Sequence, residues 1–164
     1  MTGAKAMMQE KAVLGGRLVI ELRDHGGTVV ARREADNLIT NEGRVYLAGL
    51  LGALRQVKSL RIAVGTAKAD PKPEDTKLGL QVAWAEATLA EPQQVPAAEG
   101  KTQIVAKVTA TLPPLSGTDT QAIQEAGIQI IAPNDSLVLY NHVKFPVITR
   151  TGALEMTLSW EVIF

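Results

Sequence analysis

Along residues 154–164 every second position is apolar. Leu154, Met156, Leu158, Trp160, Val162 and Phe164 alternate with Glu155, Thr157, Ser159 and Glu161. Successive side chains of a strand point to opposite faces, so this run predicts a strand with one dry and one wet face, packed to its last residue. Residues 103–112 read the same way: Ile104, Ala106, Val108, Ala110 and Leu112 alternate with Lys107, Thr109 and Thr111 before Pro113-Pro114 stops the strand. Two β-rich runs, 17–23 and 28–32, flank Asp24-His25-Gly26-Gly27, whose residues accept the positive φ of a tight hairpin. Further strands are expected at 60–64, 80–89, 123–131 and 137–144. Between them lie a proline-bearing loop at 66–79, a polar connection at 91–100, and turns at Pro133-Asn134-Asp135 and Thr149-Arg150-Thr151-Gly152.

One segment follows a different period. Tyr46, Leu47, Leu50, Leu51 and Leu54 recur at helical spacing and predict an amphipathic helix over about 41–54. Thr40 or Asn41 offers a side-chain oxygen to the free amides at its start, with Asn41 taken as the cap and Glu42 favourable in the first turn. Gly49 and Gly52 weaken this helix by about 1 kcal/mol each against Ala, which predicts another backbone packed close by. Seven or eight short strands and one helix predict a mainly β fold. The expected form is an antiparallel β-sandwich over 15–164 with the helix plugging one end or side. Residues 1–14 are expected to be an arm or short helix anchored by Met7, Met8, Val13 and Leu14.

Composition narrows the function classes. At 164 residues with 46% apolar content, the chain can bury a substantial core. Seventeen basic and seventeen acidic side chains cancel, which argues against direct nucleic-acid binding. Residues 1–80 carry thirteen Lys/Arg against nine Asp/Glu, and residues 81–164 carry four against eight, a mild polarity that fits either complementary poles for stacking on a neighbour or a chance unevenness of a solvated surface. There is no cysteine, so disulfides and thiolate chemistry are excluded. No stretch approaches a membrane span, and residues 1–14 lack the apolar core of a secretory signal; synthesis in the cytoplasm is the expectation.

Candidate chemistry is sparse. His25 sits in a turn and reads as solvated; His142 sits in a strand beside Asn141 and reads as a satisfied structural residue. No serine elbow, phosphate loop or dinucleotide fingerprint occurs, so no catalytic or cofactor-binding residue is assigned. Asp70, Glu74 and Asp75 could gather around a Ca²⁺ ion, but Lys68, Lys72 and Lys77 interleave with them, and no metal is assigned. A loop stiffened by Pro71 and Pro73 and capped at Asp75-Thr76 is the better account. Trp84, Tyr140 and Trp160 are the aromatic candidates for a sugar platform, with Trp160 read as core.

Leu38-Ile39-Thr40-Asn41-Glu42-Gly43 is followed in order by Ile62-Ala63-Val64-Gly65-Thr66, by the loop 71–78 and by Glu125-Ala126-Gly127-Ile128. Val143-Lys144-Phe145-Pro146-Val147 and Leu158-Ser159-Trp160-Glu161-Val162 close the chain. This order resembles bacteriophage tail-fibre, collar and baseplate proteins over about residues 37–164. The resemblance implies a non-enzymatic virion component without cofactors. Such a component is assembled in the host cytoplasm and works by self-association and docking on other virion proteins. A tail, baseplate or fibre-attachment place leads, with a neck or collar fibre or a capsid decoration protein as alternatives; a carbohydrate- or receptor-binding β-sandwich is the alternative of another class. The contact residues expected are Met7, Met8, Val13 and Leu14 in the arm, and Asp70, Pro71, Pro73 and Asp75 in the loop.

Overall fold

The computed structural model describes residues 15–164, so the calls on Met7, Met8, Val13 and Leu14 lie outside the described residues. Among the described residues the chain forms eleven strands and one α-helix. The elements are β1 (Gly15–Arg23), β2 (Val29–Asp36), β3 (Leu38–Ile39), α1 (Asn41–Leu51), β4 (Ser59–Gly65), β5 (Gln81–Leu89) and β6 (Gln93–Pro96). After a 3₁₀ turn at Ala98–Gly100 come β7 (Thr102–Leu112), β8 (Gln121–Ile131), β9 (Leu137–Leu139), β10 (Asn141–Arg150) and β11 (Glu155–Ile163). Every pairing is antiparallel. The strands follow the order β2-β1-β11-β7-β5-β4-β8-β10-β3, with β6 added on β7 and β9 on β8.

This path curls until its ends meet, so the architecture is a nearly closed, barrel-like sheet. The seam lies between β2 and β10, where no backbone ladder forms. There Arg33 reaches across, donating from Nε to the Pro146 carbonyl (3.3 Å) and from Nη2 to the Val147 carbonyl (3.0 Å). The opposite wall is thin as well, because β5 pairs with β7 only at Thr88 and Leu89. The expected mainly β, antiparallel fold is present, but the expected sandwich of seven or eight strands is only roughly matched: one continuous sheet curls on itself, and eight of its strands have seven residues or more. The other three are short rungs of two to four residues. One of them, β6, falls inside the stretch expected to be a polar connection, and Tyr140 breaks the expected 137–144 strand into β9 and β10.

Alternation fills the interior. Leu18, Ile20 and Leu22 of β1 face Met156, Leu158, Trp160 and Val162 of β11 and the inner row of β7, all buried. Trp160 is fully enclosed, as expected. Burying a large apolar side chain contributes about 1.5–3 kcal/mol, so the four buried side chains of β11 together contribute about 6–12 kcal/mol. The ends of the pattern fray: Ile104 is exposed, and Phe164 is half-exposed although its backbone still pairs with Ile104.

The helix departs from its sequence reading at both ends. Thr40, not Asn41, is the N-cap: its hydroxyl accepts from the Gly43 amide (2.9 Å) and donates to the Leu139 carbonyl (2.5 Å). The helix stops at Leu51, where Ala53 enters a left-handed conformation (φ 55) and the Leu54 and Arg55 amides both return to the Gly49 carbonyl. Only Gly43 and Tyr46 are buried along it. The close backbone approach belongs to Gly43, where a Cβ would lie 2.9 Å from the Tyr140 Cα and closer still to its carbonyl oxygen. Gly49 instead makes room for the Arg55 side chain, and Gly52 meets only the Leu54 side chain.

Candidate functional site

β4 and β5 would form a plain hairpin but for the fifteen residues between Gly65 and Gln81, which fold back over the outer face of β8 and β10. One buried carboxylate holds both feet of this loop. Glu125, 1% exposed, accepts from the Ala67 amide (3.0 Å) and the Leu80 amide (2.8 Å) at Oε2, and from the Gly79 amide (2.8 Å) at Oε1. The same Oε1 lies 2.8 Å from His142 Nε2, and His142 Nδ1 lies 2.7 Å from Asp75 Oδ2. Asp75 in turn accepts from the Lys72 amide (2.8 Å), which closes the local turn that the sequence suggested.

The electrostatics follow from this geometry. Burial alone pushes the Glu125 carboxyl up, but the His142 ring and the Leu80, Gly79 and Ala67 amides outweigh it and hold it down to about 2. Burial pulls the His142 ring the other way, and its contacts to Glu125 and Asp75 prevail and raise it. With a carboxylate at each nitrogen, these contacts favour the doubly protonated ring, which donates to both. It has no free nitrogen to act as a base or a ligand.

The rest of the loop is pinned too. The Pro73 carbonyl accepts from the Asn41 amide (2.8 Å), tying the loop to the start of α1. Asp70 pairs with Lys144 (3.1 Å) at an exposed site. Leu78 packs with Ala63 and Leu139 in a second, small core on the outside of the sheet. Of the expected contact residues, Asp75 is therefore engaged within the fold and Pro73 binds α1 through its backbone. Asp70 stays exposed and Pro71 half-buried beside them. Among the described residues no group of three acidic or histidine side chains is arranged to hold a metal ion, and Glu74 is exposed.

A second feature lies at the far end of α1. Leu51 is 94% and Leu54 77% exposed, and Leu50, Val45, Val57 and Leu137 are exposed around them. The predicted apolar stripe is thus turned outward beyond Leu47, which still packs against the core. It borders an open groove of about 630 Å³ between α1, the turn after it and the β8–β9 hairpin, floored by Tyr46 and Val138. The Tyr46 hydroxyl donates to the Gln56 carbonyl and fixes the turn that carries Leu54.

The aromatic candidates separate. Trp160 and Tyr140 are buried, and burial pushes the Tyr140 hydroxyl up to about 12, so neither can be a sugar platform. Trp84 is 49% exposed on the outer face of β5, with the Arg61 guanidinium 4.4 Å from its ring centre. Arg61 also donates to Gln129 (2.6 Å), which donates to Gln81 (2.8 Å). In comparisons with protein-family models, curated proteins and solved structures, nothing matches this chain.

Sequence reasoning missed Glu125 as a functional anchor. Its only trace was its place in Glu125-Ala126-Gly127-Ile128, an acidic residue at the entrance to a run that is otherwise apolar.

Proposed function

We propose that this chain is a non-enzymatic structural subunit of a phage or phage-like particle, a tail, baseplate or fibre-attachment component that works by self-association and docking. The observation that carries this reading is the leucine platform at the end of α1. Exposed leucines as contiguous as Leu50, Leu51 and Leu54 are costly in water and mark protein–protein contact sites. Leu50 and Leu51 end a helix, and Leu54 the turn after it, that the Thr40 cap, the Gly43 contact and the Tyr46 tether hold against the sheet, as a docking surface requires. The acid–imidazole–acid array supports the non-catalytic part of the reading, since every bonding position of His142 and three backbone amides are already spent on holding the loop. The curled sheet then serves as a β-sandwich-like support with its contact surfaces at one rim and along the loop.

The test is a pair of outward substitutions, Leu51→Glu and Leu54→Glu, in the chain produced alongside its particle. Thermal midpoint stays unchanged, because neither side chain is in the core, while incorporation into particles falls at least about tenfold. If labelled antibodies never mark particles and the pure protein is monomeric at all concentrations, the reading is wrong.

A further inference from the structure

The loop over β8 and β10 is tied down unevenly. Its feet are held by the Ala67, Gly79 and Leu80 amides on Glu125, by the Thr66 amide on the Leu80 carbonyl (3.0 Å), and by buried Leu78. Its crown, residues 70–75, carries no fully buried side chain. Among the described residues three polar contacts hold the crown to the rest of the fold: Asp70 with Lys144, the Pro73 carbonyl with the Asn41 amide, and Asp75 with His142. An exposed ion pair such as the first contributes little, so the charge-assisted bond to the buried ring is the strongest of the three. The ring that makes it stands between two carboxylates. Glu125 faces it from β8 and Asp75 from the loop. β3 places Leu38 opposite it, and Lys144, next on the same face of β10, is engaged by Asp70. Lys72, Glu74 and Lys77 of the loop are exposed, and α1 meets the crown through the Asn41 backbone, with Glu42 and Arg44 following in its first turn.

A neutral imidazole carries one proton, so on losing the other it is left with a bare nitrogen facing a carboxylate, two acceptors in contact. Glu125 cannot move away, because it is buried and the oxygen that meets the ring also holds the Gly79 amide. Asp75, whose side chain is 25% exposed, can turn to water. The remaining proton therefore stays on Nε2, and Nδ1 is the nitrogen left bare. We infer that the loop is a pH-operated latch: the protonated His142 ring holds the crown down, and the neutral ring lets the crown lift while Glu125 keeps both feet in place. The contacts to Glu125 and Asp75 raise His142 above 6.5, so the latch is closed below about pH 6.5 and opens as pH rises through the folded value. It stands apart from the docking reading, since it needs only this array. The crown carries Asp70, Pro71, Pro73 and Asp75, so the latch sets how these residues are presented.

The experiment is nuclear magnetic resonance of the full chain from about pH 5 to about pH 9, with amide exchange expressed as protection factors so that its intrinsic pH dependence is removed. Above the His142 titration the ring nitrogens are expected to report the Nε2–H tautomer. The Asn41 amide, which reads the crown through Pro73, should lose protection at least about tenfold, while the Ala67, Gly79 and Leu80 amides keep theirs. Asp75→Asn distinguishes the latch from general loosening. The NH₂ it introduces can donate to the bare Nδ1, so Asn41 protection should survive above the titration in that variant. Asp75 lies outside the core, so the variant keeps its fold, which circular dichroism checks. An Nδ1–H tautomer overturns the inference, and so does an Asn41 amide whose protection stays constant or falls together with that of the feet. Equal loss of Asn41 protection in Asp75→Asn and in the parent overturns it as well.

Discussion

Replacing Glu125 by Gln keeps the shape of the side chain and removes its charge. The carboxylate receives four donors: the Ala67 and Leu80 amides on one oxygen, and the Gly79 amide and His142 on the other. A glutamine presents an NH₂ where one oxygen was, so two of those donors face another donor. Each buried donor left without a partner costs about 1–3 kcal/mol, and breaking a buried ion pair typically costs about 3–5 kcal/mol. A loss of about 4 kcal/mol lowers the thermal midpoint by roughly 10 °C in a chain of this size. Both feet of the loop are released together, so the loop lifts before the sheet melts. Trypsin is the direct assay, because Lys68 and Lys77 stand exposed in that loop while Lys72 is shielded by Pro73. The Glu125→Gln protein is cut there many times faster than the parent under native conditions. An unchanged melting midpoint together with an unchanged cleavage rate would refute the stapling role of Glu125.

Four further outcomes are expected. Glu125 is depressed from 4.5 to about 2, so its contribution is present above about pH 4.5 and is lost as pH falls toward 2. His142 is raised above 6.5, so its contribution is present below about pH 6.5 and fades as pH rises through its folded value. Chemical denaturation across pH should therefore show a maximum between these limits, and His142→Gln should remove the decline on the alkaline side. Thr40→Ala loses a helix cap and leaves the Leu139 carbonyl without its donor, for about 2–4 kcal/mol by urea titration, while Thr40→Ser recovers most of it. Gly43→Ala gains about 1 kcal/mol of helix propensity but drives a methyl into the Tyr140 backbone, which cannot rotate away; a net loss of roughly 2 kcal/mol is expected, and a stabilised variant would disprove that contact. Arg33→Ala should cost about 1–2 kcal/mol and speed amide exchange in β2 and β10 ahead of the other strands.

Strands with one wet face were legible because alternation is local. β11 and β7 follow the sequence reading almost residue by residue, and the hairpin turn at Asp24 was signalled by its glycines. β8 hides its course. Ile123 and Ala126 both reach the core, so the alternation slips between them, next to the place where the pairing with β10 also shifts register. Short rungs such as β3, β6 and β9 carry too few residues to show a period. Helical spacing located α1, but spacing cannot say whether a neighbour covers the stripe, and here Leu50, Leu51 and Leu54 are left open. His142 was read as a satisfied structural residue, and both its nitrogens are indeed engaged. Its partners, Asp75 and Glu125, stand 67 and 17 positions away, so no local signal could name them. The loop was read as a contact surface for partners; much of its polar chemistry is turned inward, onto its own sheet, while Asp70 stays exposed.

The small core of Ala63, Leu78 and Leu139 means that one stretch of wall is dry on both sides. Where β11 has a solvent side, alternate positions can take almost any polar residue. β4 beyond Arg61, and β8 from Glu125 to Ile130, have no such side, because every residue there is buried. A saturation library should therefore show a striped tolerance map on β11 and a solid intolerant block on β4 and β8. The boundary of that block would trace the footprint of the loop above it. Drift in this sequence is thus confined unevenly, and the roofed strands should be the last part of the chain to change.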